Sequence, residues 1–420
     1  MGADLTIGGV DADGVLRGDG VSYHPDLGAW LVSRYDTVRA VLCDPAAFSA
    51  SAALEPVEPL CDEARAVLAT GDVWMPPLLA NNDPPDHTIQ RRFLGGPFRR
   101  GLMTEQRPMI VEVVEETIAG LAGRTSFDLA RDVAWPIPVL VLVRFLGIPI
   151  PDVATLKRWA ASRVELMGGH PTPEVQVELA ATLVEFMDHA RQVVLAKQRL
   201  IDEGRHPGDD YTSALLLALP EEDRDPVLVR RQICANLFNL LAAGHETTTH
   251  VMANTTRRLL TDRDRWRALA DDPSLAPAVV DEAIRMETSV RAWRRRTTTD
   301  VELEGVTIPA GSLVVLALAD ANRDPERFAG PEAFEPGRAN AADHLSFGFG
   351  IHRCLGAHLA RLELTEYLAR FPAAFPHLTL VDDGPPRWIP NLLLRAADRL
   401  PVRVDRPGAA PETGHDTVNG

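Results

Sequence analysis

Cys354 closes the run Phe347-Gly348-Phe349-Gly350-Ile351-His352-Arg353-Cys354-Leu355-Gly356. An apolar segment with helical spacing (Leu355, Leu359, Leu362, Leu364) starts directly behind it. The thiol therefore stands at a helix N-terminus. Unsatisfied backbone N–H groups and the positive end of the helix dipole favour thiolate over thiol there. Gly348 and Gly356 carry no Cβ, so the backbone can close on a flat ligand. Phe347 leads the turn and can pack on that ligand. A thiolate in this setting is a good axial ligand for a haem iron, and it pushes electron density toward O–O cleavage. The plainer reading of the same residues is a small buried cysteine behind a glycine turn.

A second cluster lies upstream, in Ala242-Ala243-Gly244-His245-Glu246-Thr247-Thr248-Thr249. Asp225-Pro226 offers a capping carboxylate and a proline for the first turn. Helical pattern runs from there to about Leu260, and ~35 residues span roughly 50 Å. Small residues, then a carboxylate, then hydroxyls are unusual inside a long helix. Mid-helix threonine can bond back to the carbonyl four residues earlier and bend the helix. Ala243 and Gly244 leave room for a small ligand such as dioxygen, and Glu246 and Thr247 can relay protons to it. A surface glutamate beside tolerated threonines is the alternative.

The pattern F-G-x-G-x-H-x-C-x-G resembles the haem-binding loop of the cytochrome P450 superfamily of haem-thiolate monooxygenases, and it matches at every specified position. Ala243-Gly244-His245-Glu246-Thr247 resembles the family's A-G-x-E-T oxygen-binding groove. By that resemblance Thr247 is the hydroxyl that steadies bound oxygen and Glu246 its acidic neighbour. Glu282-Ala283-Ile284-Arg285 is a weak motif alone. Placed between the long helix and the cysteine loop, it resembles the family's E-x-x-R pair, with Arg338 as the third member holding the loop of Cys354. Asp83-Pro84-Pro85-Asp86-His87-Thr88-Ile89-Gln90-Arg91-Arg92 resembles the D-P-P-x-H-x-x-x-R helix. His87 and Arg91 stand at i and i+4 and can share an anionic group. Arg295, flanked by Arg294 and Arg296, takes the R-x-[AT]-x-x-D position. His352 completes the donors for the haem propionates. The proline usual between E-x-x-R and this arginine is Ser289 here, and the usual Pro-rich N-terminal segment and first helix are not evident.

The resemblance, running from about Tyr23 to Val404, implies a mainly α fold with small β-sheets: one cytochrome P450 domain, haem b held between the long central helix and the cysteine-loop helix, and Cys354 on the metal. It assigns catalysis to Thr247 and Glu246, and cofactor binding to Cys354, His87, Arg91, Arg295, His352, Phe347, Ala243, Gly244, Gly348 and Gly356.

Composition sets outer bounds. The 420 residues are 45% hydrophobic and 24% charged, an ordinary globular balance. A formal net charge of −16 argues against nucleic acid, which needs a basic face. Cys43, Cys61, Cys234 and Cys354 form no C-x-x-C pair, so zinc is disfavoured and a reducing cytoplasm expected. No basic and apolar leader opens the chain. The most apolar run, Trp135 to Ile150, is broken by Pro136, Pro138, Arg144 and Pro149, too short for a bilayer. A monomer off the membrane is expected.

Residues 1–20 read as a flexible segment, 21–405 as the monooxygenase domain and 406–420 as a disordered tail. Val21–His24 and Ala29–Val32 read as a hairpin, and Asp36 to Cys43 as a short helix. Further helices are expected over Pro85–Phe93, Thr104–Leu121, Val139–Leu146, Pro151–Met167, Pro173–Glu203 and Thr212–Leu219. Gly168 to Pro173 is either a hinge for a lid or a plain interhelical loop.

The expected reaction is insertion of one atom of O₂ into an apolar or aromatic small molecule, by hydroxylation or epoxidation, in secondary metabolism. No flavin or iron–sulfur motif is present, so electrons are expected from outside; the resemblance implies ferredoxin and its NAD(P)H-dependent reductase as their source, docked by Arg91 or Arg92, Arg99, Arg100 and Arg353. Pocket walls are expected from Trp74–Leu79, Leu240–Gly244, Val290–Trp293 and Asn391–Leu393, with Arg291 favouring a carboxylate if it faces inward. The rival functions are an H₂O₂-driven peroxygenase, against which Glu246-Thr247 argues, and a non-catalytic haem-thiolate binding module.

Overall fold

In the computed structural model, residues 18–56, 59–71, 73, 76–150, 152–218, 226–382, 384, 387, 388, 394, 395 and 397–405 are described. The expected N-terminal segment, the tail, Trp74, Asn391–Leu393 and the Asp225 cap fall wholly or mostly outside them.

Helices carry most of the chain, and small sheets flank them. Pro226–Leu260 forms one helix of 35 residues. It packs against Pro136–Leu146, Val153–Gly168 and Pro173–Asp202. Apolar residues all along these helices, such as Leu142, Phe186, Phe238 and Met252, fill the main core. Burying each such side chain contributes roughly 1.5–3 kcal/mol. The joint at Gly169–Thr172 is short, ending one long helix and starting the next at Pro173. Among the described residues no helix is long and apolar enough to cross a membrane.

Two expected boundaries move for a stated reason. The helix anticipated from Val139 begins at Pro136, because proline in a first turn forfeits only an N–H that has no partner there. Thr104–Leu121 is two helices, Arg100–Glu105 and Arg107–Gly120, with Pro108 in the first turn of the second. Pro108 cannot continue a preceding helix.

The hairpin forms as expected, pairing Val21 with Val32 and His24 with Ala29. Its second strand runs parallel to Leu313–Ala317, which pairs antiparallel with Ala292–Thr297. That last strand carries Arg295 opposite Val314 and brings the arginine to the edge of the central cavity.

Candidate active site

The cysteine helix, Ala357–Ala374, starts three residues after Cys354, with Gly356 as its cap. The Cys354 N–H donates to the Phe347 carbonyl at 2.7 Å, which closes the loop on itself. Gly348 and Gly350 take positive φ (64° and 68°), a conformation that disfavours L side chains. At Gly350 a Cβ would also stand 2.5 Å from the Leu42 carbonyl oxygen. The loop is pinned from below. Asn322 Oδ1 accepts the Leu345 N–H at 2.6 Å, and its amide donates to Ser346 Oγ at 2.8 Å. Ser346 Oγ in turn donates to the Ile284 carbonyl.

Glu282 and Arg285 are both fully buried and meet through two bonds of 2.8 Å. Arg338 adds a third contact to Glu282 at 3.2 Å, and the Glu335 N–H a fourth at 2.9 Å. Arg285 also donates to the carbonyls of Asn322, Pro331 and Ala333. This network therefore fastens the segment leading into the cysteine loop.

A cavity of about 380 Å³ opens between that loop and the long helix. Cys354, Phe347, Gly348 and Gly356 line one wall; Ala243, Gly244, Glu246 and Thr247 line another. Arg91, Arg295 and His352 also reach it. His87 does not. Its ring packs on His352, with centroids 4.3 Å apart, behind the cavity wall. Of the expected substrate walls, Leu79, Leu240, Ala242–Gly244, Val290 and Trp293 line the cavity. Arg291 turns elsewhere and donates to the Leu394 carbonyl, while Arg294 lines the cavity instead. A second cavity of about 400 Å³ lies on the outer side of the loop. Its walls are charged (Arg39, Arg327, Asp343, Arg353, Arg361) and include none of the long helix, so it is not a reaction chamber.

Electrostatics sort the titratable groups. Cys354 is exposed to the cavity, and desolvation inside that enclosure raises its thiol above its ordinary value. N–H groups of Gly356 and Ala357 and the charges of Arg91 and Arg353 oppose that rise without cancelling it. The helix N-terminus thus acts in the expected direction but loses to desolvation; a bound metal cation, which deprotonates a coordinating thiol outright, reverses the balance. Glu246 goes the other way. Burial pushes its carboxyl up, but His245, His250 and Lys157 outweigh this and bring it to about 2. Glu363, which also lines the cavity, is raised well above the carboxylate range by burial. Two carboxyls of one chamber are thus pushed in opposite directions, a pattern that accompanies proton chemistry.

Haem has two carboxylates, a flat apolar face and a metal that takes a thiolate. The residues present fit each part. Both ring nitrogens of His87 and Nε2 of His352 are buried without a hydrogen-bond partner among the described residues. Burial and then Arg295 bring His352 down to about 4. Arg295 is 2% exposed. Among the described residues its guanidinium bonds only the Arg294 carbonyl, and burial lowers it to about 10. A buried cation without an anion in contact is costly to leave so. Arg91 donates to the Arg353 carbonyl at 2.7 Å, tying its helix to the cysteine loop.

Sequence reasoning missed His250, Ser289 as a hydrogen-bonding group, Glu363 and the anchoring role of Asn322. Glu363 had a legible signal: an acid inside the apolar stripe behind Cys354.

A helical fold with a cysteine loop facing a central helix across one apolar chamber defines a haem-thiolate protein. The chain belongs to the cytochrome P450 family. A Cytochrome P450 family model matches residues 261–398. The chain is 35% identical over 389 residues to Cytochrome P450 107B1 of Saccharopolyspora erythraea, covering 91% of this chain and 90% of the relative. It is 32% identical to the erythromycin C-12 hydroxylase of the same species, covering 88% of each. Its fold superposes on the P450 heme domain of Tepidiphilus thermophilus with a TM-score of 0.82, at 31% identity and with 91% and 90% of the two chains covered. The cofactor is haem iron with cysteine thiolate ligation, and the chemistry is that of a monooxygenase.

Proposed function

We propose that this chain inserts one oxygen atom of O₂ into an apolar or aromatic organic substrate, by hydroxylation or epoxidation, in secondary metabolism. The observation that carries the reading is one cavity lined by both Cys354 and the Ala243–Thr247 turn. A relative named as an erythromycin hydroxylase supports a bulky natural product as the substrate class.

Cys354 holds the iron. Arg91, Arg295 and His352, with His87 behind it, hold the propionates. Bound haem supplies the redox metal at which O₂ is reduced. The chain supplies position and protons. Thr247 Oγ1 donates to the Ala243 carbonyl at 2.9 Å, four residues back in the same helix, beside the small residues Ala243 and Gly244 that line the cavity. The same hydroxyl keeps lone pairs toward the cavity and accepts a proton-bearing neighbour there. Glu246 stands beside Thr247 on the cavity wall, where it relays protons from solvent, each resident on the carboxylate only briefly because its pKa is low. Glu363 holds a proton on the opposite wall. Leu240, Val290 and Trp293 pack the substrate and exclude water. Arg294 and Asn239 offer polar contacts at the margin. Two electrons per turnover come from ferredoxin and its NAD(P)H-dependent reductase, docking on the exposed Arg92, Arg99, Arg100 and Arg353.

The test is the absorbance of the reduced protein under carbon monoxide. A strongly red-shifted Soret band is expected, lost in Cys354→His. A band typical of a histidine or neutral thiol in the parent protein removes the assignment of Cys354.

A further inference from the structure

Glu246 has a partner that its motif does not specify. Its Oε2 meets Nε2 of His250 at 3.2 Å, one turn further along the helix. Nδ1 of the same imidazole meets Ser289 Oγ at 3.4 Å. His250 is 8% exposed and Ser289 4%, so neither contact is readily replaced by bulk water. An ionised carboxylate only accepts. In the neutral imidazole Nε2 must therefore carry the proton, which leaves Nδ1 to accept from the Ser289 hydroxyl. Each bond selects the tautomer that the other needs. The serine is itself fixed, because its carbonyl accepts the Arg395 N–H at 3.0 Å. Glu246 and Ser289 both line the cavity, and His250 lies behind them.

The other titratable groups facing Glu246 are known. Its Oε1 stands 3.6 Å from Nδ1 of His245, a fully buried imidazole whose basicity desolvation lowers. The edge of Trp135 packs on His245 at 5.3 Å, and the Lys157 ammonium lies over that indole at 5.3 Å. Among these groups only His250 stands within hydrogen-bond distance of the Glu246 carboxylate.

We propose that His250 is a positioning residue for Glu246: the chain Ser289–His250–Glu246 sets where the carboxylate points and ties that direction to its protonation. Ionised, Glu246 is drawn back onto the Nε2–H. A proton arriving from solvent at Oε2 ends that attraction and frees the carboxyl to turn its O–H toward Thr247. Loss of the proton restores the resting contact, so each delivery resets the donor. The proposal rests on the reading of Glu246 as a proton carrier.

Two measurements test it. The first needs no turnover: ¹⁵N-histidine spectra of the reduced, carbon-monoxide-bound holoenzyme. His250 is expected as the Nε2–H tautomer, moving to a mixture in Ser289→Ala; a proton resident on Nδ1 overturns the proposal. The second uses an apolar surrogate substrate chosen by its spin-state shift and counts peroxide released per NAD(P)H. His250→Phe is expected to lower product yield about tenfold, with an unchanged carbon-monoxide spectrum. His250→Gln, whose amide still donates to Glu246, restores most of it. Unchanged yield in His250→Phe overturns the proposal. If that variant does not fold, Ser289→Ala carries the test with a smaller loss of yield, and no loss there is equally fatal. A parent enzyme that makes no product, and whose Thr247→Ala variant leaks no extra peroxide, points instead to failure of the monooxygenase reading; the tautomer still decides the geometry.

Discussion

The loop beneath Cys354 and the turn Ala243–His250 above it differ in how their polar atoms are committed. On the loop side, Leu345, Ser346 and Cys354 are each tied by short bonds to Asn322, Ile284 and Phe347. Below them, Glu282 satisfies Arg285, Arg338 and the Glu335 N–H at once. On the helix side, both ring nitrogens of His245 and the Thr249 hydroxyl are buried without a hydrogen-bond partner among the described residues, and Glu246 meets imidazoles at 3.2 Å (His250) and 3.6 Å (His245). Bonds made in full fix geometry; capacity left over lets protons move. A thiolate ligand needs the first and oxygen activation the second.

The sharpest way to break this contrast is to cut the fixed side. Glu282→Ala leaves Arg285 buried and charged with only carbonyls around it. Removing one partner of a buried pair costs about 3–5 kcal/mol. A urea titration of the holoenzyme should show a midpoint shift of that size, with haem lost before the helices melt. A loss under 1 kcal/mol would mean the network is decorative. Thr247→Ala cuts the mobile side instead. It removes no buried charge, so stability should hold while product formation falls on the order of a hundredfold and NAD(P)H continues to be consumed as peroxide. Parallel loss of stability and coupling would erase the distinction between the two walls.

How far each wall was legible in the sequence follows from the range of its bonds. The cysteine loop and the Ala243–Thr247 turn are local patterns, where glycine φ, helix start and side-chain size act over a few residues. The helices around them follow from apolar spacing. Ser289 and His250 are 39 residues apart in the chain and meet at 3.4 Å, which no local pattern shows. Asn322 reaches Leu345 across 23 residues for the same reason. The thiolate of Cys354 is read from its helix end; the opposing desolvation of the free thiol depends on the enclosure of the cavity, a property of the whole packing. His87 is expected as a cofactor donor from the resemblance of its helix and its spacing to Arg91; its contact with His352, far away in the chain, is set by packing that no local pattern shows.

A smaller effect separates the sides by pH. His344 borders the fixed side, with Arg361 3.0 Å from its Nε2. Burial and then Arg361 hold it down to about 3. The unfolded chain protonates this imidazole near pH 6.5, so it binds the extra proton first. Stability should therefore fall as pH drops below about 6.5, by up to roughly 1.4 kcal/mol per pH unit, until the folded value is reached. Comparing urea midpoints at pH 7 and 5 for the parent and His344→Asn reads this directly: the variant should lose about one proton's worth of slope. An equal slope in both would place the acid sensitivity elsewhere.

The weakest effect lies outside both walls, where the loop meets solvent. Arg92, Arg99, Arg100 and Arg353 are exposed around the cysteine face of a chain whose net charge is −16. A basic patch on an acidic protein steers an acidic partner to one place, and salt screens such steering beyond about 10 Å at 0.1 M. Reduction by ferredoxin should slow several-fold between about 0.05 and 0.5 M salt, through a rising KM for ferredoxin with little change in kcat. Arg99→Glu should reproduce the low-affinity limit at low salt and leave the carbon-monoxide spectrum untouched, because Arg99 makes no contact with the cavity. A rate flat with ionic strength would move electron entry away from this face, while the division between a fixed ligand loop and a proton-bearing helix would stand, since neither wall draws its order from these surface charges.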